Sequence, residues 1–339
     1  MMQQAEAFFR DHPIPSNSPP GARRSSPPSA RMSSLRPGPT RVSSRKGLSS
    51  APAPLEVEAP LPGPADYAGF LQVTLPQQEK AVASHRLAGV RVWLKKAGPR
   101  HGMAGYRAMA VLAGLFRLEV LKPVPNPGGE AAIAIEARRL RQLADAGLRV
   151  PQVLAQQPDG LLMSDLGESG RNTVVLQERL EQAANAGPAA LVAAWREGLD
   201  AIAEVHAKGC YLSQAFDRNL VVCPDGVIGY IDFEDDPGET LGVDECQARD
   251  WLSYLHSTAM LLHAAAPQQA GAHWHEVQMA ASEAVRERLL QAARRMRWLR
   301  RLPKSRRWGR DTQRVRAAAS LLARWYSLNG QLFVAPTRY

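Results

Sequence analysis

The chain has 339 residues, of which 45% are hydrophobic, 6% aromatic and 22% charged. That length and apolar content suffice for one large domain or two smaller units with a sizeable core, and they exclude a collagen-like, wholly disordered or disulfide-stapled protein. The formal net charge is +10, yet residues 1–55 carry eight Lys/Arg against two Asp/Glu, so about six of the surplus charges belong to the amino-terminal tail and not to the body of the chain.

Three cysteines, Cys210, Cys223 and Cys246, form no CxxC pair and leave an odd count, which fits reduced thiols in a cytoplasmic protein. The longest apolar runs, such as Ala108 to Phe116, reach about half of a membrane span, so no transmembrane helix is expected. No apolar signal core opens the chain, because Phe8 and Phe9 run straight into Arg10 and Asp11. These features imply a cytoplasmic location, with a peripheral position at the inner face of the membrane as its variant.

Residues 13–62 are dominated by Pro, Ser, Arg and Gly without any apolar period, and such a stretch buries too little surface to offset chain entropy. It reads as a disordered tail over residues 1–65; a basic nucleic-acid-binding arm is the alternative. Order is expected from near Leu71. Val90, Val92 and Leu94 alternate with Arg91, Trp93 and Lys95, which predicts a half-buried strand ended by Gly98-Pro99. Met103 to Leu118 has helical periodicity, Pro123 to Gly129 reads as loop, and Ala131 to Ala146 as a second helix closed by Gly147. Val150 to Gln156 and Leu161 to Ser164 predict a hairpin around Pro158-Asp159-Gly160. From Pro188 the pattern turns helical through Leu191, Trp195, Leu199, Ile202 and Val205, and Gly209 stops it. Two short strands, Leu220 to Val222 and Val227 to Asp232, flank Pro224-Asp225-Gly226, and everything after Gln247 reads as helix with breaks near Pro267 and Pro303.

The most informative segment runs from His206 to Phe233. Asn219 stands at a strand entry, and the next hairpin returns the chain so that Asp232 in Tyr230-Ile231-Asp232-Phe233 lies close to it. An amide oxygen and a carboxylate converging there are hard oxygen ligands suited to Mg²⁺, which could bridge and neutralise nucleotide phosphates.

This segment resembles the protein-kinase-like superfamily, particularly its aminoglycoside-phosphotransferase-like, RIO-like and lipopolysaccharide-core-kinase branches. The resemblance spans roughly residues 85–260 and rests on His206 at a helix end, the loop to Asn219, the hairpin, Asp232 and, in Ala248-Arg249-Asp250-Trp251, a helix aspartate that braces the loop. It implies an α+β, two-lobed protein-kinase-like fold, with a small β-rich lobe over residues 66–166 and a larger helical lobe over residues 167–339. It further implies ATP and Mg²⁺ as cofactors, with Asn219 and Asp232 as metal ligands. Val92-Trp93-Leu94-Lys95 resembles the strand whose lysine contacts the phosphates. Glu136 resembles the helix glutamate that positions it, 41 residues on, a separation that makes the Met103–Leu118 helix an insertion. Lys122 is the competing lysine. Met163-Ser164-Asp165-Leu166-Gly167 resembles the hinge between lobes, with Asp165 and Leu166 beside the adenine.

Two positions depart from that pattern. Gln214 stands five residues before Asn219, where the family places its catalytic aspartate, and an amide cannot take a proton from a hydroxyl at neutral pH. Asp217 is the substitute candidate, or else a turn cap. No GxGxxG precedes Lys95, so a phosphate-covering loop would have to come from Thr74 to Arg86, which has no glycine. Each residue also has a plain reading: Asn219 in a turn, Asp232 solvated, Lys95 at an exposed strand end, and Glu136 paired with Arg139. His273-Trp274-His275 lacks a third ligand and reads as surface.

Residues 294–310 hold nine Lys/Arg and no acid, interleaved with Met296, Trp298, Leu299, Leu302 and Trp308. Such a stretch fits an anionic membrane surface or lipopolysaccharide, then nucleic acid, or a solvated helix face. The expected function is an ATP-dependent phosphotransferase acting on a hydroxyl of a lipopolysaccharide or other envelope component, or on a protein Ser/Thr. The alternative is a pseudokinase-type binding module in which Gln214 marks lost catalysis.

Overall fold

The computed structural model describes residues 63–98, 128–168, 171–303, 305, 307 and 309–328. Most of the disordered-tail expectation, the Met103–Leu118 helix, Lys122 and nearly all of the Pro123–Gly129 loop lie outside these residues. Within them the protein is α+β and mostly helical, with eight α-helices and two small antiparallel sheets.

The first unit is built on a four-stranded sheet ordered β1 (Val82–Leu87), β2 (Val90–Lys96), β4 (Gly160–Ser164), β3 (Val153–Gln157). Helix α1 (Pro64–Thr74) covers one face. Val92 and Leu94 of β2 join Leu162 of β4 there, in a small core with Leu71 and Leu75. Because side chains alternate along a strand, Trp93 and Lys95 must face the other way, toward helix α2 (Gly129–Asp145). On that side Trp93, Leu161 and Met163 pack with Ile133, Ala137 and Leu140. Glu136 lies on the same buried face of α2 as Ile133 and Leu140, at helical spacings of three and four.

The remainder is helical: α3 (Leu176–Ala186), α4 (Pro188–Ala207), α5 (Val243–Ala265), α6 (Pro267–Ala280), α7 (Glu283–Met296) and α8 (Gly309–Leu328). Its core is rich in tryptophan. Trp195 stacks on Tyr254 with ring centroids 6.1 Å apart, Trp251 and Trp274 are buried, and Trp325 donates to the Pro267 carbonyl at 2.7 Å. The second sheet joins β5 (Val174–Val175), just ahead of α3, to β6 (Leu220–Val222) and β7 (Ile228–Tyr230), which follow α4 in the chain. The Tyr230 N–H donates to the Arg149 carbonyl at 2.9 Å, tying this hairpin to the chain that leaves α2.

Several elements differ from the sequence reading. Helix α1 already spans Pro64 to Phe70, ahead of the start expected near Leu71, because Pro64 opens it and Asp66 accepts from the Gly63 N–H at 2.8 Å. Thr74 to Arg86, which has no glycine, is not an open loop. It holds a 3₁₀ turn and most of edge strand β1, and the hairpin turns at Ala88-Gly89, both at positive φ (46° and 82°). Helix α3 precedes Pro188, where the sequence reading has no helix, although Leu176 and Leu180 mark its buried face. The helical run after Gln247 breaks again at Ser282, whose Oγ accepts from the Val285 N–H at 3.2 Å as an N-cap. Residues Arg297–Arg301 form a 3₁₀ turn, so the basic segment is not one continuous helix.

Candidate functional site

The sheet unit and the helical unit enclose a cleft of about 1060 Å³, counted to its open mouth. Val82, Met163, Leu166, Val221 and Ile231 give it an apolar slot, and Lys95, Glu136, Asp232 and Glu234 form its charged end.

Lys95 reaches this end from β2 and is itself only 8% exposed. Its Nζ lies 2.6 Å from Glu136 Oε2, 2.9 Å from Glu234 Oε1 and 3.4 Å from Asp232 Oδ1. Burial opposes the lysine's charge, but the carboxylates of Glu136, Asp232 and Glu234 outweigh it and hold the ammonium pKa well above its ordinary value. Burial likewise raises the Glu136 pKa, against the pull of Lys95. The exposed-strand-end reading of Lys95 is thereby corrected. So is the Glu136–Arg139 pair: the Arg139 guanidinium donates to the Tyr211 carbonyl at 2.6 Å and sits 4.2 Å from the Tyr211 ring.

The opposite wall is the loop between α4 and β6. Gly209, at φ 72°, ends the helix in the left-handed region that glycine enters freely, and turns the chain toward the cleft. Asp250 on α5 anchors the next residues of the loop. It is fully buried, its Oδ2 accepts from the Leu212 N–H at 2.7 Å, and the same oxygen lies 3.1 Å from His206 Nε2. Ser213 (φ 74°) and Asp232 (φ 71°) adopt left-handed backbone unusual outside glycine, at about 1–2 kcal/mol each. Both strained residues sit in the segments that build this wall.

Asn219 closes the loop. Its Nδ2 donates to the Gln214 carbonyl at 3.1 Å, which leaves the amide oxygen for a cation, and its own carbonyl accepts from the Ile231 N–H at 3.0 Å. That last bond holds the residue before Asp232 against Asn219, so both side chains line one cleft. Gln214 lines it too, with its Nε2 donating to Asp235 Oδ2 at 2.6 Å. Burial pushes the Asp235 carboxyl up to about 6, against that bond and the charge of Arg249.

Asp217 goes elsewhere. It is buried, hydrogen-bonded to Ser257 on α5 and not among the residues that line the cleft, and burial raises its pKa. Asp165 and Leu166 line the far end of the slot, where Asp165 accepts from the Trp93 indole at 2.8 Å and lies 3.7 Å from Arg91. The structure thus brings together Lys95, Glu136, Asp165, Leu166, Gln214, Asn219 and Asp232, and leaves Asp217 outside. Sequence reasoning missed Glu234 as a lysine partner, Asp235 as the clamp on Gln214, and Arg218 on the cleft wall. The adjacency of Glu234 and Asp235 to Asp232 was the available signal.

Among the described residues no three His, Cys, Asp or Glu side chains are arranged to hold a metal ion. A cation at Asn219 and Asp232 would therefore need further oxygens from its ligand. The hard-oxygen donors and the apolar slot beside them fit a metal-bound nucleotide. His273 lies 3.1 Å from Glu276, and Trp274 between the two histidines is buried. The three cysteines are free, and no described helix is long and apolar enough to cross a membrane. No known protein family matches the chain, and comparison with curated proteins gives no match.

Proposed function

We propose that the protein has a two-lobed kinase-like fold, with the four-stranded sheet and α2 in the small lobe, and that it binds ATP with Mg²⁺ in the cleft. The supporting observation is Lys95, held charged in a buried position by Glu136 and next to Asp232 at the end of an apolar slot. A lysine buried among carboxylates at a cleft is suited to phosphate oxygens once a ligand enters. In this reading Lys95 contacts the α- and β-phosphates and Glu136 orients it. Asn219 and Asp232 hold the metal, which supplies charge neutralisation on the transferring phosphoryl group. The slot between Val82, Leu166 and Ile231 takes the base, with Asp165 and Leu166 beside it.

The reaction proposed is phosphoryl transfer to a hydroxyl. Because such transition states are loose, positioning and charge neutralisation carry most of the catalysis, and the acceptor need not be fully deprotonated in advance. The second reading, a nucleotide-binding module without transfer, is favoured by two observations: Gln214 presents an amide to the cleft, and Asp217 is buried and not among the residues that line it. A thermal shift with ATP and Mg²⁺ tests the site. Stabilisation of wild type that disappears in Asp232→Ala is expected, and no stabilisation of wild type would overturn nucleotide binding. Phosphate release or transfer assayed on the same samples separates the two readings.

For the acceptor, an envelope component such as a lipopolysaccharide, or another anionic surface, is supported by the basic segment. Arg294, Arg297, Arg300, Arg301, Arg307 and Arg310 are exposed, and Trp298 is 44% exposed among them. The segment leads into α8, whose Asp311 and Arg314 act electrostatically on Arg218 at the cleft wall. Co-sedimentation with anionic but not zwitterionic vesicles is expected, with loss on replacing Arg300, Arg301, Arg307 and Arg310 by Gln. Binding to duplex DNA in place of vesicles would favour nucleic acid instead, and a protein Ser/Thr acceptor requires neither.

A further inference from the structure

Six charged side chains line the cleft. Lys95 and Arg218 stand against Glu136, Asp165, Asp232 and Glu234, so the lining carries a net charge of −2 although the whole chain is at +10. A site of that sign repels a free polyphosphate and favours a cation or a cation-bound anion.

The three carboxylates around Lys95 are not equivalent. Glu136 is anchored on α2 with its side chain 3% exposed, and it holds the lysine from the protein side. Asp232 stands farther off, at 3.4 Å, with its side chain 36% exposed. Glu234 makes the close contact from the cleft side, 2.9 Å from Nζ with its side chain 17% exposed. An incoming phosphate oxygen would need a place on the same ammonium. A carboxylate and a phosphate oxygen compete there for the same donor.

We propose that Glu234 is an internal stand-in for phosphate on Lys95, and that it makes the cleft accept a polyphosphate only as its divalent-cation complex. Glu234 and an unaccompanied polyphosphate cannot both sit on the lysine, because like charges at contact distance in a partly buried site repel strongly. A cation arriving with the phosphates offsets the charge of Asp232 and Glu234 and lets the Glu234 carboxylate leave the lysine. Glu234 is therefore a specificity-determining residue, and this rests on the nucleotide-binding reading above only for the identity of the ligand.

Calorimetric titration of wild type and Glu234→Gln with two probes, ATP and inorganic tripolyphosphate, each in EDTA and in excess Mg²⁺, tests it. The glutamine keeps the shape and removes the charge. In EDTA, Glu234→Gln is expected to bind tripolyphosphate at least about ten-fold more tightly than wild type, with the gap narrowing in Mg²⁺. Glu239→Gln removes one acid that pairs with Arg138, at 2.7 Å, and does not contact Lys95; it is expected to shift affinity by less than about two-fold. Equal affinities of wild type and Glu234→Gln for both probes in EDTA would overturn the proposal, as would an equal gain in Glu239→Gln. Glu234→Ala repeats the comparison, and a gain is expected there too. The nucleotide reading is decided separately: if ATP binds no better than tripolyphosphate to any form, that reading falls while a gain in Glu234→Gln still upholds the role of Glu234.

Discussion

Lys95 Nζ and Glu136 Oε2 lie 2.6 Å apart, both buried, although one comes from the end of a strand and the other from the middle of a helix. Removing one member of such a pair leaves the other desolvated and uncompensated, at roughly 3–5 kcal/mol. Lys95→Met is therefore expected to lower the denaturation midpoint and to abolish binding of ATP with Mg²⁺. The double variant Lys95→Met/Glu136→Leu should recover most of the stability and none of the binding. A Lys95→Met protein as stable as wild type would show that the pair does not form in solution.

Asp250 ties the loop after α4 to α5 through Leu212 and His206. Asp250→Ala removes the buried acceptor of the Leu212 N–H, and a loss of roughly 2–4 kcal/mol is expected. Hydrogen exchange should accelerate across residues 211–219 ahead of α5. Exchange unchanged in that loop would remove Asp250 from the role of brace.

The carboxyl of Asp235 is raised by burial to about 6. An acid whose folded pKa exceeds its unfolded value near 3.9 binds its proton more tightly when folded, so its contribution to stability falls as pH rises from about 4 to about 6. Asp235→Asn keeps an oxygen for the Gln214 amide and removes the buried charge. Chemical denaturation should find the variant more stable than wild type at pH 7.5, by up to roughly 3 kcal/mol, with the difference vanishing near pH 4. A variant less stable at pH 7.5 would mean that Arg249 and Gln214 more than offset the burial.

Asn219 offers its amide oxygen to a cation while its nitrogen is held by the Gln214 carbonyl. Asn219→Ala should raise the Mg²⁺ concentration needed for half-maximal ATP binding by roughly ten-fold or more, the scale at which supporting metal contacts act. In EDTA the variant should bind ATP as poorly as wild type. An unchanged Mg²⁺ requirement would take Asn219 out of the metal site.

Much of the local structure was legible because periodicity is a local property. The alternation through Val92, Trp93, Leu94 and Lys95 predicted β2, the spacing of Leu191, Trp195 and Leu199 predicted α4, and the Pro-Asp-Gly turn predicted the hairpin that ends near Asp232. Strand β1 escaped because as an edge strand it buries only Val82 fully, which leaves little apolar period to read. Helix α3 and the Ser282 cap carry legible signals, in the Leu176–Leu180 spacing and in a serine ahead of an apolar period, that the sequence reading overlooked.

What the sequence determined by itself was the α+β class and the pairing of Asn219 with the segment before Asp232, both set by short-range patterns and one turn. Tertiary structure alone decided which charges meet. Glu136 faces Lys95 and not Arg139 because the packing of α2 on the sheet turns Glu136 inward, and Asp217 is buried outside the cleft because the chain at Asp217–Asn219 docks on α5, where its N–H donates to Ser257 Oγ. Pairings between charges far apart in sequence depend on how elements dock, and no local period encodes that.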